Sequence, residues 1–109
     1  MVRTVATAPP WPPMPDPTQG RGARMAWYAA VARWAPSKHN TQPWQFVLRD
    51  ESLELYPDAS RALPATDPHG REMLISCGAA AQHVVVAARA MGFQAAVPLL
   101  PDGADGPLT

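Results

Sequence analysis

The sequence predicts an α+β fold, with antiparallel strands laid beside one long central helix. Apolar residues recur every three or four positions over 24–35 and again over 70–91, the period of a helix. Between them, residues 44–49 alternate apolar and polar, the period of a half-buried strand. A second short strand, 52–56, follows a turn at Asp50 and Glu51.

The first helix, 24–35, places Trp27, Val31 and Trp34 on one face at i, i+4 and i+7. Pro36 ends it, because the ring disfavours helical backbone at Ala35. In the first strand Trp44, Phe46 and Leu48 share one face, and Gln45, Val47 and Arg49 the other. Residues 57–69 read as irregular, with three prolines. Asp67 can cap the second helix and Pro68 suits its first turn. Met73, Cys77, Ala81, Val84, Ala88 and Met91 form its apolar stripe, and Gly92 stops it. Gly78 to Ala81 makes its centre thin, so it can serve as an assembly surface as readily as a core element. Residues 94–100 read as a third strand, with Pro98 marking an edge.

Six of the fourteen prolines lie between Pro9 and Pro17. Residues 1–23 therefore read as a disordered Pro-rich tail, 24–101 as the folding unit, and 102–109 as a loose C-terminal tail. A single domain at most is expected from 109 residues. A hairpin plus one edge strand leaves a sheet face needing cover, so the unit reads as part of a larger assembly.

Composition narrows the function. Nine basic and nine acidic residues give a net charge of zero, with no basic stripe, so no nucleic-acid partner is expected. No apolar run reaches the roughly 18 residues of a membrane span, and the N-terminus has no apolar signal core. A cytoplasmic chain without a membrane partner is expected. The single cysteine, Cys77, excludes an internal disulfide. It sits among apolar helix residues, the setting of a packed thiol. His39, His69 and His83 lack metal-ligand spacing, and no metal is expected. His39 with Cys77 or Ser37 lacks a carboxylate to complete a nucleophile triad. No side chain is assigned as catalytic.

The most informative stretch is Ser37-Lys38-His39-Asn40-Thr41-Gln42, held between Pro36 and Pro43. Ser37, Asn40 and Gln42 are neutral donor–acceptor groups suited to the edge of a planar heterocycle, with Trp44 a flat partner beside them. The same residues also suit an ordinary turn satisfying local backbone groups. Arg71 can reach a phosphate or carboxylate, or form a helix-surface ion pair.

The run from Ala35 to Phe46, with Pro36-Ser37-Lys38-His39-Asn40-Thr41-Gln42-Pro43-Trp44-Gln45 at its centre, resembles the signature of the nitroreductase family of FMN-dependent oxidoreductases. The resemblance is narrower still to the Acg-type branch. The stretches Thr66-Asp67-Pro68-His69-Gly70-Arg71-Glu72 and Ile75-Ser76-Cys77-Gly78-Ala79-Ala80 are similar in the same order. The resemblance covers about 25–101 and implies a partial nitroreductase-like fold whose long helix forms a dimer core. It implies FMN as cofactor and NAD(P)H as co-substrate, with electrons passed to a nitro compound or quinone. It carries polar cofactor contacts to Ser37, Asn40 and Gln42, with Pro43, Trp44 and Gln45 supporting the loop beside the cofactor. The family's phosphate-binding basic residues have no counterpart here. Arg71 enters the cofactor-binding set from its own chemistry, as a side chain able to reach a phosphate. Members of the branch have two tandem lobes, so a homodimer or a second lobe is implied as partner. Flavin binding without turnover, or an inactive fragment, are the alternative expectations.

Overall fold

The computed structural model describes residues 12–50 and 52–109. The chain runs α1 (Gly20–Ala32), β1 (Trp44–Leu48), β2 (Leu53–Pro57) and α2 (Arg71–Ala90), an α+β arrangement. The strands form a two-stranded antiparallel sheet with Trp44 opposite Pro57, Phe46 opposite Leu55 and Leu48 opposite Leu53. The strand period of two thus sets Trp44, Phe46 and Leu55 on the face that meets the helices.

Helix α1 starts four residues before the expected Arg24. Asp16 accepts from the backbone N–H of Thr18, and Gln19 returns a bond to the Asp16 N–H, a reciprocal cap on a 3-10 turn at Pro17–Gln19. That turn leads straight into the helix. The Trp27 indole donates to the Pro12 carbonyl at 3.0 Å, holding part of the Pro-rich segment against α1. The remainder of the expected tail, 1–11, lies outside the described residues, as does Glu51 of the hairpin turn. Across that turn the Arg49 N–H donates to the Ser52 carbonyl at 2.9 Å.

Among the described residues, two clusters make the core. Met25, Trp27, Tyr28 and Val31 of α1 pack on Ala87 and Ala88 of α2. Ala32, Ala35, Trp44, Leu55, Cys77 and Ala80 form the second, where both helices meet the sheet. The small residues of α2 allow this close approach, as side chains without branches leave room for a neighbouring backbone.

Both ends of α2 are set by local chemistry. The Asp67 carboxylate accepts from the N–H groups of Glu72 (3.1 Å) and Met73 (3.0 Å). Gly70 turns the chain at φ +69, a conformation costly for other residues, so the helix start folds back onto Asp67. At the other end Phe93 N–H reaches Ala88 O and Gly92 N–H reaches Arg89 O, with Gly92 at φ +85. Those paired bonds are the Schellman stop, satisfying carbonyls the helix leaves open.

The expected third strand over 94–100 is not formed. Residues 93–100 are exposed, and Pro98 and Pro101 remove backbone donors there. The free edge of β2 is met instead by the chain's last residues. Leu108 N–H donates to Leu55 O at 2.7 Å, and Leu55 N–H to Thr109 O at 2.9 Å.

Among the described residues, α2 alone has the length and mean hydropathy (1.3) of a membrane span. One third of that window is buried within the chain, which is how a core helix also presents itself.

Candidate functional site

The polar loop leaves α1 at Pro36 and enters β1 at Trp44. Three of its non-glycine residues, His39 (φ +52), Asn40 (φ +54) and Gln42 (φ +48), stand in the left-handed region. Such backbone persists only where surrounding contacts over-determine it, and here they do. Ser37 Oγ accepts from Gln42 N–H at 3.0 Å, and Ser37 O accepts from Asn40 N–H at 3.0 Å. Thr41 returns both its N–H and its hydroxyl to Lys38 O. Trp44 N–H closes a tight turn onto Gln42 O at 2.8 Å, with Pro43 between them.

Distant elements pin the loop from outside. Lys38 Nζ donates to Thr66 O and pairs with the Glu72 carboxylate at the start of α2. Arg61 donates to Thr41 O at 3.0 Å. Pro43 O accepts both from Asp58 N–H at 2.9 Å and from the Cys77 thiol at 3.3 Å. Burial pushes the Cys77 thiol up to about 11, so it stands as a protonated donor.

This bracing leaves a groove of about 560 Å³ beside the loop. Ser37, Asn40 and Gln42 line it, together with Pro12, Arg33 and Trp34. Gln42 Nε2 donates to Asn40 Oδ1 at 3.3 Å, which leaves the Asn40 amide as a donor and the Gln42 carbonyl oxygen as an acceptor.

The other residues singled out in the sequence do not line the groove. Pro43 is fully buried beneath the loop, and Trp44 is 8% exposed within the core. Gln45 is exposed on β1, beside Asp58, and Arg71 is the exposed first residue of α2. The indole against the groove is that of Trp34, which helical spacing had grouped with Trp27 and Val31. Helix α1 ends at Ala32, so Trp34 lies in the following turn and faces elsewhere. The nearby Pro36 was the available clue, because a helix gives way before proline. Nothing in the spacing marked Arg33 or Pro12.

No protein-family model matches the chain. Individual relatives do. Over 71 residues, 65% of this chain, it is 49% identical to the Mycobacterium tuberculosis protein named "Putative NAD(P)H nitroreductase Rv3131", covering 21% of that protein. Over 71 residues, again 65% of the chain, it is 45% identical to "Putative NAD(P)H nitroreductase acg" of the same organism, covering 22% of it. Over 65% of its length the chain is thus similar to proteins that carry a nitroreductase name. A further relative, "Uncharacterized protein Rv3127", is 41% identical over 71 residues, 62% of the chain and 21% of that protein. The chain spans about a fifth of the length of the curated relatives it matches. The braced loop and the capped start of α2 are two of the three stretches on which the sequence resemblance rests; the third, Ile75 to Ala80, lies within α2.

Proposed function

We propose that this chain supplies the FMN-binding loop of a nitroreductase-type oxidoreductase. The observation that carries the reading is the groove in which Ser37, Asn40 and Gln42 converge on a backbone fixed in advance. Donor and acceptor groups held there match the alternating N–H and C=O edge of a flavin, and Trp34 offers an apolar wall. The chemistry of this donor set therefore fits FMN. Arg33 adds a positive charge on the same groove.

Bound FMN would supply the hydride-carrying centre between NAD(P)H and a nitro compound or quinone. The chain's own task is positional. Asn40 and Gln42 hold the ring edge, Ser37 keeps Gln42 in its left-handed turn, and Lys38, through Glu72, keeps the loop seated on α2. Pro43 and Trp44 act from beneath as support. Arg71, the first residue of α2 and outside the groove, would serve as a phosphate contact. The names of the relatives, which specify NAD(P)H and nitroreductase, and the family resemblance support the nicotinamide and the electron acceptor.

We further propose a homodimer, or a second lobe, seated on the outer face of α2. Ile75, Gly78, Gln82 and Val86 form one stripe at 100° per residue, and Ile75 and Val86 are 61% and 54% exposed. Nothing lies within 4 Å of where a Gly78 Cβ would stand, so the thin centre of the helix is open to a neighbour. A cytoplasmic location is part of the same proposal.

Titration with FMN, followed by flavin fluorescence, tests the reading. Saturable quenching that is lost on Asn40→Ala supports it, and quenching indifferent to Asn40 contradicts it. Anaerobic NADPH then separates turnover from storage: bleaching of the bound flavin marks an oxidoreductase, and persistent colour marks a flavin holder.

A further inference from the structure

One wall of the groove beside the polar loop comes from far outside the loop. Pro12 lines that groove with Ser37, Asn40 and Gln42. It is held there by the Trp27 indole N–H, which donates to its carbonyl at 3.0 Å across 15 residues of sequence. Trp27 is 7% exposed, and its ring packs with Met25, Val31 and Ala88 in the core. The Tyr28 ring centroid lies 5.9 Å away, with the two planes tilted by 50°. The core therefore fixes the donor, and a buried indole N–H calls for a partner. The Pro12 carbonyl supplies it.

The segment so held is stiff. Residues 12–16 run Pro-Pro-Met-Pro-Asp and lie outside helix and strand. The prolines restrict φ to about −65° and so narrow what the backbone can do. At the far end Asp16 and Gln19 exchange bonds across the 3-10 turn that leads into α1. The strap is thus fixed at Asp16 by a cap and at Pro12 by Trp27. A wall ordered before its ligand arrives costs little further entropy on binding. Pro12 brings a saturated ring without charge or N–H, so it offers apolar contact where the loop offers hydrogen bonds.

We propose that Trp27 is a positioning residue of this groove: its indole N–H, through Pro12 O, holds the strap as a wall against the bound flavin. The proposal rests on the reading of the groove as an FMN site. Trp27 does not line the groove itself, so its effect passes through Pro12. A wall contact is made after the ligand has entered and is broken as it leaves. Its loss therefore falls on dissociation more than on association.

The test is a double-variant cycle on the full chain, with FMN association and dissociation rates followed by stopped-flow flavin fluorescence. Trp27→Phe keeps an aromatic ring in the core and loses the N–H; FMN should leave roughly fivefold faster, with association within about twofold of the wild type. Pro12→Ala keeps the carbonyl and loses the ring on the groove; FMN should leave roughly threefold faster. Both act through one strap, so the double variant should release FMN no faster than Trp27→Phe alone. Independent effects would multiply to about fifteenfold. Val31→Ala loosens the same core cluster and should lower Tm without changing the release rate. An unchanged release rate in Trp27→Phe, or a double variant at the product of the two, overturns the proposal and leaves FMN binding standing. A rise in Val31→Ala equal to that in Trp27→Phe also overturns it, since that assigns the effect to core stability. A wild type that binds no FMN overturns the FMN reading and this proposal together.

Discussion

The Cys77 thiol donates to the Pro43 carbonyl at 3.3 Å, tying the middle of the long helix to the residue that ends the polar loop. Both groups are fully buried, and Pro43 O also receives Asp58 N–H. One carbonyl thus gathers α2, β1 and the chain after β2. The loop's shape depends on a contact 34 residues away in sequence.

Cys77 should therefore be inert in the folded chain. Its pKa is raised to about 11 from 9.0 by burial, so its thiolate is roughly a hundredfold scarcer at pH 8 than in an unfolded chain. Reaction with a disulfide reagent at pH 8 should be at least that much slower in buffer than in urea. The sign for stability follows. A folded pKa above the unfolded value gives stability that is complete below about pH 9 and lost as pH rises towards 11. Equal thiol reactivity in buffer and urea would contradict the packing.

Asp67 should govern the acid side. Burial acts to raise its pKa, but the Glu72 and Met73 N–H bonds and the Lys38 charge outweigh it and hold the carboxyl below its usual range. A lowered folded pKa gives stability that is present above the unfolded value, about 3.9, and lost as pH falls through the folded value. Asp67→Ala should lower Tm by roughly 5 °C at pH 7, and should flatten the decline of Tm below about pH 4. Thermal melts from pH 3 to 7, followed by circular dichroism, check both. An unchanged Tm would remove Asp67 from its capping role.

The outer face of α2 should carry assembly. The chain, 11.7 kDa, should sediment at twice its mass, and Ile75→Glu should return it to monomer by placing a charge in an apolar interface. A monomeric wild type at tens of micromolar would contradict the homodimer.

Much of the fold was legible because its signals are local. Period-2 alternation placed Trp44, Phe46 and Leu48 on one face, and the Gly92 stop was visible as a glycine after an apolar stripe. Asp67 was legible as a cap, although it acts across Gly70 rather than at the residue just before the helix. The remaining signals are either overshadowed by neighbours or distant in sequence. The reciprocal Asp16–Gln19 cap was hidden by the prolines around it, so α1 was expected to start late. The strand expected over 94–100 had apolar residues but no partner edge, since 108–109 take the edge of β2.

The loop divided along the same line. Ser37, Asn40 and Gln42 were legible as donors and acceptors between two prolines. The exchange of roles between Trp34 and Trp44 was not. Which indole is buried depends on where α1 ends and how the sheet meets it. Nor could the Lys38–Glu72 pair be read from spacing, because 34 residues separate its members.

The claim that the braced loop contacts FMN is tested most directly by mapping amide shifts of the 15N-labelled chain as FMN is added. The account predicts the largest shifts at Ser37, Asn40 and Gln42 with a second group at Arg33 and Trp34, and small shifts around Tyr28. Largest shifts around Tyr28 or along the outer face of α2, with the loop unmoved, would contradict it.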